Sequence, residues 1–482
     1  MELRSNCGAG FSLRGTSSPA ISRREALIRS MGGFGSIVAT MMLRGSGDPL
    51  RADSAKKIYD LVPRSPHFPA KAKSVIFVFL PGGPSQVDLL DPKPILNKFD
   101  GQAPPIKVVS RKDVAQPKLF GSPFKFAKYG QSGLEVSELM PGLSQVVDEI
   151  SVIRSCVTER IDHDTAQYHY MSGRNITGFP AVGAWVTYGL GSENQNLPGY
   201  IALHDGDALI GPRAWTGGWL PPNFAGTLME VDGVPIPDLK RPASMSVADE
   251  RGIIDMVNGL NRLHRAKHPE LLELDTRIAN YEMAARMQME ALQKVDLSTE
   301  SEATKRLYGL DNEVTKPFGK RCMVARRLVE SGVRFVQITS GGWDHHAKLA
   351  ESLTKSMGKI DIPVAGLIKD LKQRGLLDET LVVWGGEFGR LPTAERADGR
   401  DHNPRGFTCW MAGGGIKGGT VYGATDEIGY AAADNPVSHS DMHATILHLM
   451  GVDVRRLTYD YDGRVETLIG VNPARVLKEI IA

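Results

Sequence analysis

The sequence of 482 residues is poor in cysteine, in net charge and in long hydrophobic runs. Its four cysteines show no C-x-x-C spacing, which argues against a zinc knuckle or a disulfide framework and favours small buried side chains. A formal net charge of +2 gives no bulk attraction to nucleic acid or to an acidic membrane. Beyond the leader described next, no run approaches the roughly 18 apolar residues of a membrane-spanning helix. We therefore expect a globular chain with no integral membrane segment in its mature form, acting on a small or extended substrate.

The N-terminal segment differs in composition from the rest of the chain. Arg23 and Arg24 precede a mildly apolar, glycine-containing stretch at Met31–Leu43. A basic region before a short apolar run is typical of an export signal, and adjacent arginines indicate the twin-arginine type. We expect residues 1–55 to be a twin-arginine-type signal and linker that directs the protein to the periplasm or the extracellular space. A disordered basic tail is the alternative, and retention of the segment as an anchor stays open.

Short apolar runs alternate with helical patterns over residues 56–482, which predicts one α/β domain. Runs such as KSVIFVFL are typical of parallel strands that are buried on both faces. A helix is expected to begin near Asp162, with Asp or Thr as its cap. The other predicted elements, in chain order, are strand 73–80, helix 318–331, strand 333–339, helix 347–375 and strand 379–384.

Three regions depart from this alternation. Residues 94–145 are rich in glycine, proline and lysine and predict an irregular excursion, and residues 198–243 predict a loop region. Residues 246–310 show helical periodicity with few helix breakers, which indicates two or three long helices. We interpret this last region as a helical insertion rather than as a domain that folds by itself.

Polar clusters follow several of the apolar runs. GGWDHH at 341–346 and GGEFGR at 385–390 each follow a predicted strand, GRDHNP at 399–404 comes shortly afterwards, and HSDMH at 439–443 opens a helical run. In open α/β sheets, ligands bind outside the carboxyl ends of the strands. His, Asp and Glu side chains brought there by several strands are what a divalent metal ion needs. The C-terminal third of the chain therefore predicts a metal site.

Several motifs in one order resemble those of the bacterial "domain of unknown function 1501" family over about residues 70–455. They are the twin-arginine leader, PGGPSQVDLLDPKP, GGWDHH, GGEFGR, GRDHNP and HSDMHATILHLMGVD. That family is sulfatase-like and falls in the alkaline phosphatase superfamily. The resemblance implies an alkaline-phosphatase-like α/β fold, with a mixed, mainly parallel sheet and helices on both faces. It also implies hydrolysis of phosphate or sulfate esters at divalent metal ions.

The resemblance also suggests individual site residues. Asp344 and His346 resemble a metal-binding pair after a strand, with His345 expected to be the exposed neighbour. His402 resembles a later metal-binding histidine, and Glu387 lies where the superfamily usually carries an Asp-His pair. The expected site comprises catalytic Thr165, His163 and Arg390, metal ligands Asp344, His346, Glu387, His402 and Asp88, and substrate-binding Arg400 and Ser85.

The suggested roles follow from residue chemistry and position. Arginine binds planar anions such as phosphate and sulfate in a bidentate manner, which suits Arg390 or Arg400. Backbone amides around Ser85 could form an anion nest. His163 and Thr165 lie about where the superfamily carries its nucleophile, but the Cys/Ser-x-Pro-x-Arg motif of true sulfatases is absent. Either water or Thr165 would then attack the ester.

A structural alternative stands beside each assignment. Asp344 and Thr165 could be helix caps, Glu387 and Arg390 could form an internal ion pair, and His402 could simply be hydrogen-bonded in a turn. The first strand ends in Pro-Gly-Gly rather than in an Asp, so Asp88 would have to substitute for the missing ligand. These departures leave open a site with one metal ion instead of two.

Together, the patterns predict an exported metal-dependent hydrolase of phosphate or sulfate esters. Its substrate would be a small-molecule or polysaccharide ester, and its cofactor a zinc, calcium, manganese or magnesium ion. The alternative is a non-catalytic exported binding or scaffold protein with a degenerate form of the fold. The glycine run at 413–415 lacks the spacing of a nucleotide-binding fingerprint, and nothing indicates a nucleic-acid partner.

Overall fold

The computed structural model describes most of the predicted domain. The described residues are 60–110, 116–205, 210–232, 235–236, 244–268, 278, 282–283, 286–287 and 290–482. The predicted export signal at 1–55 lies outside them. Within this part of the chain, no helix is long and apolar enough to cross a membrane.

A mixed sheet of nine strands forms the centre of the described domain. The order in this sheet is β12-β4-β11-β8-β1-β7-β5-β6, and β15 also pairs with β4. β11 runs antiparallel to β8 and β4, whereas the other pairs are parallel. The strands, including those of four two-stranded sheets, are β1 Ser74–Phe79, β2 Phe126–Tyr129, β3 Leu134–Ser137, β4 Ile150–Val157, β5 Tyr200–Leu203, β6 Thr227–Met229, β7 Phe335–Thr339, β8 Thr380–Gly385, β9 Gly389–Arg390, β10 His402–Asn403, β11 Phe407–Ala412, β12 Thr420–Tyr422, β13 Ala424–Thr425, β14 Ala432–Asp434, β15 Val437–Ser438, β16 Tyr459–Tyr461 and β17 Arg464–Glu466.

Helices cover both faces of the sheet. The α-helices are α1 Gln86–Leu89, α2 Pro94–Lys98, α3 His163–Ser172, α4 Val182–Leu190, α5 Val247–Lys267, α6 Glu302–Leu307, α7 Lys316–Glu330, α8 Leu349–Gln373 and α9 His439–Leu449. Short 3-10 helices occupy Leu143–Gln145, Val147–Glu149, Gly211–Trp215, Pro222–Phe224, Leu297–Thr299, Leu377–Glu379 and Lys478–Ile480. Side chains of α3, α4 and α9 join the core on one face, and those of α7 and α8 join the core on the other. The predicted mixed, mainly parallel sheet with helices on both faces is confirmed.

Strand β1 shows why the apolar runs lack polar alternation. Val75, Phe77 and Phe79 pack in one core, while Ile76 and Val78 pack in the other. All residues of β1 are buried, because the strand lies between β7 and β8 and both of its faces are covered. Since β1, β7 and β8 are parallel, their carboxyl ends meet at one edge of the sheet.

The loops that leave these three strands pack against one another at that edge. Gly82 has a φ of 120°, and a Cβ atom placed there would lie 2.7 Å from the backbone nitrogen of Asp344. A Cβ atom on Gly83, whose φ is 80°, would lie 2.7 Å from the ring of Phe388. Only glycine fits these two positions without displacing its neighbours. The Pro-Gly-Gly turn after β1 therefore lets the loops after β7 and β8 approach closely.

The five strands and helices predicted with explicit bounds agree with the structure to within two residues. The predicted loop region 198–243 is wrong in part, because it contains β5 and β6 of the main sheet. These strands are too short to show a clear hydrophobic period. Residues 94–145 contain α2 and the hairpin of β2 and β3. In the region 246–310, α5 is long and begins with a capping box, but most of 269–289 lies outside the described residues.

Candidate metal centre

Four side chains converge at the edge of the sheet where β7 and β8 end. Ligand-type atoms of His163, Asp344, His346 and His402 all lie within 4.8 Å of one another. The Nε2 atoms of the three histidines lie 3.1, 2.8 and 3.2 Å from Asp344 Oδ1, in chain order. The Nε2 atoms of His346 and His402 are 3.1 Å apart. Three imidazole nitrogens around one carboxylate oxygen have the chemistry of a metal-binding donor set.

Three separate segments supply this donor set. His163 is the first residue of α3, where Asp162 is the N-cap. Asp344 and His346 lie in the loop that follows β7. His402 lies in β10, which pairs with β9 in a short antiparallel ladder. The fold therefore brings a helix N-terminus together with two of the polar clusters that follow apolar runs in the sequence.

Each of the three histidines is oriented through its other ring nitrogen. The Nδ1 contacts are His163 with Glu387 Oε1 at 2.7 Å, His402 with the carbonyl oxygen of Ile161 at 2.6 Å, and His346 with Glu395 Oε2. These acceptors hold a proton on Nδ1, so that each Nε2 faces the centre. Such outer partners are typical of histidines that bind metals.

Glu387 lies behind His163 and outside the donor set, although the sequence suggested it as a direct ligand. Its side chain is fully buried. Besides the contact with His163, its Oε1 accepts hydrogen bonds from the Gly82 backbone N–H at 2.9 Å and from Gln167 Nε2 at 3.1 Å. Because its oxygens already accept these hydrogen bonds, Glu387 orients His163 and lies outside the candidate donor set.

Arg390 is enclosed in the protein, which differs from the predicted anion-binding role. Its side chain has no exposed surface, and its Nη2 lies 2.6 Å from Asp344 Oδ1. The guanidinium also donates to the carbonyl oxygens of Gly82, Gly83, Trp343 and Arg400. Arg390 therefore ties the loops after β1 and β7 together and fixes Asp344.

Three further residues suggested for the site form a separate internal cluster. Arg400 Nε lies 2.8 Å from Asp88 Oδ2, and neither side chain is exposed. Ser85 Oγ donates to the same oxygen at 2.5 Å. A buried charge requires a partner, and Asp88 is the partner of Arg400. Asp88 therefore lies outside the donor set. Arg400 and Ser85 bind Asp88 and do not face an open cleft.

The hydroxyl group of Thr165 is bound within the first turn of α3. Its Oγ1 lies 2.7 Å from both carboxylate oxygens of Asp162, and its backbone N–H donates to the same side chain at 3.1 Å. Asp162 is therefore the helix cap, and Thr165, which the sequence allowed as a cap, is the residue bonded to it. Thr165 nevertheless follows His163 by two residues, so its role as a nucleophile stays a prediction.

Burial and neighbouring charges shift several pKa values in the centre. Burial lowers the pKa of His163, but hydrogen bonds to Asp344 and Glu387 outweigh this effect and raise the pKa to about 9. Burial favours a raised pKa for Asp344, yet the three histidines and Arg390 hold that pKa well below its ordinary value. Burial lowers the pKa of His402. Asp344 is thus ionised, which is the form that binds a cation, whereas His163 carries a proton at neutral pH that a metal ion would displace.

The donor set fits one metal ion of the kind that imidazole prefers. Tetrahedral zinc, with ligand bonds of about 2.0–2.2 Å, keeps its ligand atoms roughly 3.3 Å apart. The separations from Asp344 Oδ1 are similar, at 2.8 to 3.2 Å. Calcium and magnesium prefer oxygen ligands, so three histidines favour zinc among the expected ions. The side chain of Asp344 is 44% exposed, which leaves the centre open to solvent on one side.

Sequence reasoning missed two of the outer partners and misplaced one neighbour. Glu395 lies in a polar stretch that carries no motif, and a backbone carbonyl such as that of Ile161 leaves no signal in a sequence. His345, expected to be exposed, is buried, and its Nε2 lies 2.9 Å from the carbonyl oxygen of Gly342. The one sequence feature that could have indicated Glu395 is its position between GGEFGR and GRDHNP, two polar clusters that both reach the centre.

Comparisons with known proteins place the chain in a family. No curated protein matches the sequence. The fold is similar to the PsFucS1 sulfatase from Pseudoalteromonas sp., with 14% identity, a TM-score of 0.34 and coverage of 81% of this chain and 68% of that one. It is also similar to the alkaline phosphatase from the Antarctic bacterium TAB5, with 10% identity, a TM-score of 0.34 and coverage of 80% and 99%. The sequence model of the family described as "Protein of unknown function (DUF1501)" matches residues 72–481, and the chain belongs to that family.

Proposed function

We propose that this protein is an exported, metal-dependent hydrolase of phosphate or sulfate esters. The observation that carries the proposal is the convergence of His163, His346 and His402 on Asp344 Oδ1, with the opposite nitrogen of every ring held by a fixed partner. A structural histidine needs no such arrangement around one solvent-facing carboxylate. The substrate would be the ester of a small molecule or of a polysaccharide.

The residues of the centre have separate tasks in this proposal. His163, Asp344, His346 and His402 would hold a zinc ion, which supplies Lewis-acid polarisation of an ester oxygen and a water of lowered pKa. Glu387 keeps the His163 ring in place through Nδ1. The buried neighbours hold the ligands rigidly, as precise positioning of reacting groups requires.

The attacking group is either water or Thr165. The hydroxyl of Thr165 is bound to Asp162, whose carboxylate could accept its proton. Thr165→Ala separates the two possibilities. If water attacks, the variant keeps most of its hydrolytic activity, whereas if Thr165 attacks, the variant loses it. A covalent adduct on Thr165, detected by mass spectrometry during turnover, would support the second possibility.

Hydrolysis of p-nitrophenyl phosphate and p-nitrophenyl sulfate by the zinc-reconstituted protein tests the proposal. We expect turnover of at least one ester and a loss of more than about 100-fold in His402→Ala, since even outer partners of metal ligands contribute about 10–100-fold. His264→Ala is the matched control, because this histidine is exposed on α5 and remote in sequence from the centre. Absence of turnover in the metal-loaded protein, or equal turnover in His402→Ala, would contradict the proposal.

A non-catalytic exported binding protein is the second candidate function. The specific observation in its favour is that Arg390 and Arg400 are both enclosed and bound to internal acceptors, so neither supports a substrate anion. Stoichiometric metal binding without turnover of either ester would favour this candidate.

Export rests on the arginine pair of the leader. Replacing Arg23 and Arg24 by lysine should leave the protein in the cytoplasm, because the adjacent arginines are the feature that indicates this export route. Fractionation of cells that express the tagged full chain gives the measurement. Unchanged export of the doubly substituted protein would contradict a twin-arginine signal.

A further inference from the structure

A cleft distinct from the metal centre opens at the carboxyl ends of β5, β6 and β7. It has a volume of about 830 Å³. Asp205 follows β5, Glu230 follows β6 and Ser340 follows β7, and all three line it. This is the edge of a parallel sheet at which ligands bind. The volume suits an organic molecule, since small-molecule sites measure roughly 300–1,000 Å³.

The cleft combines an apolar wall with a polar pair. Trp215, Phe318 and Pro317 supply the apolar side. Arg321 follows Phe318 by one turn of α7, with its guanidinium carbon 5.6 Å from the centre of the Phe318 ring, and its Nη2 lies 3.4 Å from Asp205 Oδ2. Arg321 Nε and Asp205 Oδ1 are buried and make no hydrogen bond with any described residue. The two side chains are still 14% and 19% exposed, so atoms other than these buried ones present a donor and an acceptor to the cleft.

The charges that line the cleft balance one another. Arg321 and Lys359 are positive, and Asp205 and Glu230 are negative. A bound anion would face both carboxylates, so this balance favours a ligand without net charge. A hydroxyl group donates and accepts hydrogen bonds at once, which matches an arginine beside a carboxylate. A ring with hydroxyls on its rim and C–H groups on its faces also suits the apolar body of Trp215.

The cleft and the metal centre share structural elements. Ser340 precedes Asp344 by four residues in the loop after β7, and the Gly341 backbone N–H lies 3.4 Å from Asp205 Oδ2. The 3-10 helix Gly211–Trp215, which also lines the cleft, carries Arg213, and Arg213 Nη2 lies 3.9 Å from Oδ1 of Asp164, the residue after His163. One end of a bound molecule can therefore lie in the cleft while another part extends toward the centre.

We propose that this cleft binds the neutral sugar rings of an oligosaccharide, and that the substrate is a saccharide ester. The assignment of the substrate as a saccharide ester rests on the proposed ester hydrolysis at the metal centre. The binding of sugar rings does not rest on it, because the cleft residues are separate from the donor set.

Calorimetric titration of the full-length protein with neutral hexasaccharides tests the proposal. The probes are maltohexaose, cellohexaose, laminarihexaose, chitohexaose and agarohexaose, each used with zinc-loaded and chelator-treated protein. At about 10 mM probe, even a site with a dissociation constant of roughly 1 mM is mostly filled. We expect at least one of them to bind, with the same affinity whether or not metal is present.

Two substitutions and one control assign binding to the cleft. Arg321→Gln and Asp205→Asn should each weaken binding by about tenfold, since each removes hydrogen bonds to a charged group. Lys355→Gln should leave the affinity unchanged, because this lysine is exposed on α8 one turn before Lys359 and does not line the cleft. Circular dichroism spectra that match the wild type verify that the variants fold.

Failure of this proposal is distinguishable from failure of the proposed function. Absence of binding by every hexasaccharide, or binding that both cleft substitutions leave unchanged, would overturn the proposal even in a protein that holds zinc. Displacement of a bound hexasaccharide by inorganic sulfate would overturn the neutral-ligand assignment. Saccharide binding in a protein without metal or esterase activity would uphold the cleft and reject the hydrolase.

Discussion

At the scale of single residues, the centre depends on groups that would not touch the metal. Glu395 is buried and hydrogen-bonded to His346 Nδ1. Glu387 holds His163, and Arg390 holds Asp344. A ligand free to rotate loses entropy when it binds a metal, whereas a ligand already oriented does not. We therefore expect a substitution of an outer partner to change the affinity for zinc even when the four donor side chains are unchanged.

Glu395→Gln should weaken zinc binding by about 10–100-fold, the effect expected for loss of a charged partner of a ligating histidine. The glutamine keeps the size of the side chain but removes the charge that supports the Nδ1 proton of His346. Competition with a chromophoric zinc chelator gives the affinity. Glu351→Gln on the exposed start of α8 is the control, and equal affinities of Glu395→Gln and the wild type would contradict this role.

The candidate donor set was partly predictable from the sequence, and the outer partners of its histidines were not. Asp344, His346 and His402 come from polar clusters after apolar runs, where sheet topology makes side chains converge. Asp88 and Arg400 have the same local appearance, but they pair with each other because both are buried. Only the three-dimensional neighbourhood decides which carboxylate meets a histidine and which meets an arginine.

At the scale of elements, the loops after β1, β7 and β8 act as one unit. Gly82 makes this possible, because its φ of 120° and missing Cβ allow the loop after β7 to pass within contact distance. Gly101 also has a positive φ, of 74°, but a Cβ atom there would meet nothing within 4 Å. An L-residue at Gly101 would therefore meet backbone strain alone, whereas one at Gly82 would meet greater strain and a clash.

Gly82→Ala should lower the free energy of unfolding more than Gly101→Ala does. Backbone strain applies to both variants, at roughly 1–2 kcal/mol near the left-handed region where Gly101 lies and more at the φ of 120° of Gly82. The added clash with the backbone of Asp344 applies only at Gly82, and it should also reduce zinc affinity. Denaturant unfolding and zinc titration are the measurements, and equal effects of the two substitutions would refute the close packing of these loops.

Helix α9 carries a histidine that makes the fold sensitive to acid. Burial lowers the pKa of His443 to about 4, and His443 Nε2 lies 2.8 Å from the carbonyl oxygen of Tyr170. The ordinary pKa in the unfolded chain is about 6.5. Between these values the unfolded state binds a proton that the folded state does not, so stability falls as pH decreases from about 6.5 to 4.

His443→Gln should reduce this loss of stability, because glutamine does not titrate yet keeps a donor for the Tyr170 carbonyl. Protonation of this single group lowers the free energy of unfolding of the wild type by on the order of 3 kcal/mol between neutral pH and pH about 4. The difference in unfolding free energy between variant and wild type, measured across this range, isolates the contribution of His443 from those of other histidines. A difference that does not change with pH would contradict it.

At the scale of the whole molecule, the hydrophobic pattern of the sequence predicted the fold more readily than it predicted the site. Fully apolar runs such as β1 mark strands covered on both faces, and the long helices α7 and α8 show a clear period. The short strands β5 and β6 were not predicted, because three or four residues are too few to show a hydrophobic period. Those strands form one end of the sheet and carry residues of the proposed saccharide cleft.

The metal content of the purified protein tests the central claim most directly. Elemental mass spectrometry should find about one zinc ion per chain after reconstitution, as expected for the donor set of three histidines and one aspartate. Asp344→Ala should lose this ion, while Lys355→Gln should keep it. A wild-type protein that binds no zinc, calcium, manganese or magnesium, or an Asp344→Ala variant that still binds one ion per chain, would contradict the account.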